Sequence, residues 1–70
     1  MTKQELRKEI QALYPGTVRL NLIDTAKVIG KHPNRVVEYM EGYPSEKFGV
    51  GRYYFIGDIA ERLYERTARF

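Results

Sequence analysis

Leu6, Ile10 and Leu13 recur at helical spacing behind Thr2-Lys3-Gln4-Glu5, where a hydroxyl and a carboxylate three residues apart have capping-box form. Pro15-Gly16 ends that pattern, which predicts a first helix over about 3–14. From Thr17 the period changes to two. Val18, Leu20 and Leu22 alternate with Thr17, Arg19 and Asn21, which suits a short extended segment. Asn21 then stands three residues before Asp24 as a cap. Ala26, Val28 and Ile29 carry a second helix, about 22–29, up to Gly30, a residue type favoured just past a helix end.

The break at Gly30-Lys31-His32-Pro33 is short. Pro33 fits the first turn of a third helix, where its missing N–H costs nothing, and His32 falls at or next to the cap. Val36, Val37 and Met40 are the expected apolar stripe, and Gly42 stops the helix. Two helices joined by a turn of about three residues have helix-turn-helix spacing. Tyr43-Pro44-Ser45 is a loop. Phe48 to Ile56 reads as a β-hairpin around Gly49-Val50-Gly51, whose glycines supply the positive φ of a tight turn. On its second strand Tyr54 and Ile56 share one face, Tyr53 and Phe55 the other. Asp58 or Gly57 is the expected cap of a last helix that bears Ile59, Leu63 and Tyr64 and runs to about Ala68.

The chain is therefore expected to be a single α+β domain over residues 1–70, mostly helical. Its order is an N-terminal helix extension (about 3–14), a helix-turn-helix (about 22–41), a hairpin wing (about 47–56) and a C-terminal helix. That is the order of a small winged helix-turn-helix. In that arrangement the second helix of the pair faces the major groove and the hairpin reaches flanking backbone or minor groove.

Charge sharpens this picture. The net charge is +3, and residues 1–37 hold seven Lys/Arg against three acids while residues 38–70 hold five against six. A basic excess over one region favours a polyanionic partner. There is no cysteine, so no disulfide reinforces so short a chain. No stretch approaches the roughly 18 apolar residues of a membrane span, and no signal peptide pattern opens the sequence. The expected location is the cytoplasm, with no membrane partner.

Three segments in order carry a family resemblance: Thr25-Ala26-Lys27-Val28-Ile29-Gly30, Pro33-Asn34-Arg35-Val36-Val37, and Gly49-Val50-Gly51-Arg52-Tyr53-Tyr54-Phe55-Ile56. Over about residues 20–64 the chain resembles the excisionase-type, MerR-like winged helices; the first helix lies outside the resemblance. Members bind DNA as excision factors of phages and integrative elements, as regulators, and as domains of phage terminase small subunits. The resemblance implies an excisionase-like recombination directionality factor that bends DNA, with a site-specific recombinase and adjacent copies of itself as further partners. A small transcriptional regulator is the alternative role. Two positions depart from the family pattern: Lys31 stands where an apolar residue is usual, and Glu38 where a basic one is frequent.

Arg35, on the exposed face of the third helix, is a candidate for base or phosphate contact, since arginine pairs bidentately with guanine. Asn34 lies beside it. Glu38, one turn on, either accepts from cytosine N4 or pairs with Arg35. Lys31 is a candidate phosphate contact, and His32 a donor to phosphate at the helix N-terminus. Arg52 matches the family's wing arginine and implies a phosphate or minor-groove contact. Lys47 is a further phosphate contact, or alternatively protects an edge strand. Tyr53 reaches DNA sugar or, with Phe55, makes a protein interface, unless the first or last helix covers them. Surface pairing accounts for the acids at helical spacings, and neither a P-loop nor a nucleophile with its base is present. One histidine and no cysteine leave no zinc set. The expectation is thus a non-catalytic protein without metal, cofactor or small-molecule substrate. The rival from another class is a protein-interaction module that docks through Tyr53 and Phe55.

Overall fold

A computed structural model describes residues 2–49 and 51–67, except for the side chains of Phe48 and Thr67. Helix α1 (Lys3–Leu13) opens with the predicted capping box. The Glu5 N–H donates to Thr2 Oγ1 at 3.2 Å, and the Thr2 N–H to Glu5 Oε1 at 3.1 Å. Ile10 is buried and Leu6 packs on the core. Leu13 belongs to the predicted stripe but lies in the final turn, outside the core cluster and exposed. Gln11 Nε2 donates to the carbonyls of Tyr14 and Thr17, at 2.9 and 2.6 Å, which fixes the chain as it leaves the helix.

Strand β1 (Arg19–Asn21) runs directly into α2 (Leu22–Ile29). Asn21 serves both, because its Oδ1 accepts from the Asp24 N–H at 2.8 Å and caps the helix. The helix ends at Gly30, whose φ of 72° is left-handed, and the N–H groups of Gly30 and Lys31 both donate to the Ala26 carbonyl.

The third helical segment is shorter than predicted. A 3-10 turn, Pro33–Arg35, leads into α3 (Val36–Tyr39), and i→i−3 bonds from Glu41 to Glu38 and from Tyr43 to Met40 unwind the chain around Gly42. Its phase also differs. Val36, Tyr39 and Met40 face the core, at the spacing i, i+3, i+4, whereas Val37 is 44% exposed. Tyr39, rather than Val37, completes the stripe.

Strands β2 (Glu46–Phe48) and β3 (Gly51–Phe55) form the hairpin; Val50, between them in sequence, lies outside the described residues. The sheet is antiparallel in the order β1-β3-β2. Helix α4 (Ile56–Thr67) follows β3 without a break. The predicted cap at Gly57 or Asp58 is therefore not the helix start. The Ile56 N–H donates to the Val18 carbonyl at 2.8 Å, so the neighbouring strand segment satisfies the first helical donor. Ala68 lies outside the described residues. Leu20, Ala26, Val36, Met40, Tyr54, Ile56, Ile59 and Ala60 make the core, and α1 packs along α4.

One clamp holds the loop between α3 and β2. The Arg62 guanidinium lies 4.8 Å from the Tyr43 ring centroid, and its Nη2 donates to the Glu41 carbonyl. One turn on, Glu65 accepts from the Tyr43 hydroxyl. Burial, this hydrogen bond and the nearby Glu65 and Glu61 charges push the Tyr43 phenol up to about 12.

Candidate nucleic-acid interface

Segment α3 and its preceding turn contribute to two concavities on different sides. The first, of about 330 Å³, lies between the Lys31–Arg35 turn and the end of α4. Its floor is Tyr39. Lys31 Nζ and Arg66 Cζ sit 5.7 and 5.1 Å from that ring's centroid, within cation–π range. Burial raises the Tyr39 phenol's pKa, and Arg66 and Arg62 partly oppose the rise. His32 caps the 3-10 turn: its Nδ1 accepts from the Asn34 N–H at 3.1 Å, which leaves Nε2 as the donor of a neutral ring. Arg35 Nη1 lies 3.3 Å from Glu38 Oε2, with both side chains about 70% exposed.

The second concavity is an open groove of about 760 Å³ between the hairpin, the start of α2 and α3. Lys47 and Arg52 are direct register partners across β2 and β3, so their side chains leave the same face. Like charges directly opposite one another are locally unfavourable. Among the described residues neither forms an ion pair, and no carboxylate lines the groove. Val37 and Tyr53 line it as well.

The predicted site residues thus divide. Lys31, His32, Arg35 and Glu38 gather on one side of α3, whereas Lys47 and Arg52 gather on the other; Tyr53 borders that second groove, but strand alternation gives its side chain to the opposite face of the sheet. Asn34 is exposed in the turn at the head of α3. Arg66 joins the first group without any signal in sequence, since only the packing of α4 brings it to Tyr39. Among the described residues no group of three or more His, Cys, Asp or Glu is placed to hold a metal, and no helix is long and apolar enough to cross a membrane.

The opposite face of the sheet carries Tyr53 and Phe55, both half-buried and outside the core cluster. Arg19 Nη1 pairs with Glu46 Oε2 at 2.8 Å, from the two outer strands across that face of β3. Helix α1 packs against α4 instead of forming a layer over this face.

No protein family, curated protein or solved structure matches the chain.

Proposed function

We propose that this chain binds duplex DNA without catalysis, as a winged helix-turn-helix with α2 and α3 as the helix pair and β2–β3 as the wing. The observation that carries this reading is the Lys47–Arg52 register pair. Two cations stand opposite one another on a wing, over a groove lined by no carboxylate. A phosphate backbone relieves their mutual repulsion and supplies the affinity. The α3 segment then enters the major groove and sets register through Asn34 and Arg35. Lys31 and Arg66 lie beside Tyr39 as further phosphate contacts, with His32 Nε2 as a third donor.

The finer role we propose, an excisionase-like directionality factor whose adjacent copies bend the site beside a recombinase, rests on the family resemblance. A small transcriptional regulator uses the same interface. One observation favours a protein-interaction module: Tyr53 and Phe55 lie half-buried on a sheet face outside the core.

Anisotropy of a labelled random duplex of about 30 base pairs, titrated at several salt concentrations, tests the reading. Phosphate binding weakens steeply as salt rises, whereas docking through aromatics does not.

A further inference from the structure

Val37 and Ile23 pose a question that phosphate binding does not answer. Both are exposed, at 44% and 58%, and both line the groove between α3 and the wing, together with Leu22 and Pro33. A lone exposed aliphatic needs no explanation; a group of them in one concavity does. Apart from Lys47 and Arg52, which serve as phosphate contacts in the DNA-binding reading, the same groove offers few side chains that read bases by hydrogen bonding. Asn21 Oδ1 is committed to the Asp24 N–H as a helix cap. Arg35, the side chain best suited to guanine, lies on the other side of α3 against Glu38. What remains is an apolar surface flanked by Lys47 and Arg52.

The charge identifies the occupant as a polyanion, and the apolar floor narrows its chemistry. Within the major groove, the C5-methyl of thymine is the apolar feature that distinguishes one base pair from another. We infer that Val37 and Ile23 read thymine methyl groups, so that this protein discriminates A·T-containing sites by contact with methyl carbon rather than by hydrogen bonds from this groove. The inference rests on the DNA-binding reading and adds the base feature that is recognised.

The probes are two duplexes of about 30 base pairs, one alternating A·T and the other alternating A·U, with deoxyuridine replacing every thymidine. They carry the same phosphate charge and differ in the C5-methyl groups. The protein should bind the A·T duplex more tightly, by roughly fourfold for each methyl it buries. Val37→Ser should shrink that ratio towards one while leaving the melting temperature unchanged, and Ile23→Ser provides a second variant of the same kind. A ratio of one in the unmodified protein, with salt-sensitive binding to both duplexes, overturns methyl recognition and leaves the DNA-binding reading in place. A preference that survives in both variants overturns the assignment to these residues. Failure to bind either duplex at low salt overturns both readings.

Discussion

Arg35 and Glu38 lie about one turn apart on the exposed side of α3, with Nη1 3.3 Å from Oε2. The pair is solvated and contributes little to folding. In the proposed DNA-binding reading, Glu38 engages one guanidinium nitrogen of Arg35 and adds a charge that phosphates repel. Glu38→Gln should therefore raise affinity for random duplex, by roughly fivefold for one unit charge near the surface. It should also steepen the salt dependence and leave the melting temperature unchanged. A titration of both proteins against the same duplex checks this; weaker binding by the variant would make Glu38 a contact in its own right.

Lys47 and Arg52 should act as non-specific contacts. Alanine at either position is expected to weaken binding to all duplexes by a similar factor and to lower the salt slope by about one. Thermal melting should hold or rise slightly, since each change removes one member of a like-charged register pair. An unchanged slope in both variants would remove the wing from the interface.

Arg62 should be structural. Truncation to alanine removes its stacking on Tyr43 and leaves the Glu41 carbonyl without its donor. The expected cost is about 1–3 kcal/mol, which lowers the melting temperature by several degrees in a domain of this size. Affinity for DNA, measured below the transition, should be unchanged. Arg62→Lys should recover only part of the loss, because an ammonium lacks the planar fork that stacks and donates together.

Two carboxylates give opposite pH dependence. Burial and the neighbouring Glu61 raise the pKa of Asp58. The folded state thus holds this proton more tightly than the unfolded chain, and stability is lost as pH rises from the ordinary aspartate value through the raised one. The Thr2 backbone and side-chain hydrogen bonds lower the pKa of Glu5. Its contribution is present above the ordinary glutamate value and is lost as pH falls through the lowered one. Melting curves from about pH 3 to 7 should show Asp58→Asn gaining on the parent protein as pH rises, and Glu5→Gln gaining as pH falls. A constant difference for Asp58→Asn would mean that its proton is not coupled to folding.

Much of the fold is legible in sequence because local chemistry decides it. The Thr2–Glu5 box, the Asn21 cap, the left-handed Gly30 and the alternation of Tyr53, Tyr54 and Phe55 each act within a few residues. What was not legible depends on partners distant in sequence. Helix α4 starts at Ile56, where the chain leaves β3, and Val18, next to β1, takes the Ile56 N–H. The phase of α3 is decided by Tyr39, an aromatic with a cationic roof from Lys31 and Arg66, over Val37, although both are apolar. Of the candidate site, the residue types and their exposure were readable. Their division between two concavities was not, because it follows from where the hairpin and the end of α4 pack around α3.

The most direct test of duplex DNA binding is the slope of log affinity against log salt for a random duplex of about 30 base pairs. Contacts from Lys47, Arg52, Lys31 and Arg66 predict a slope between about −2 and −4, at roughly 0.9 per phosphate. A slope near zero, or no binding at low salt, would contradict the account and turn attention to Tyr53 and Phe55 as a protein-docking face.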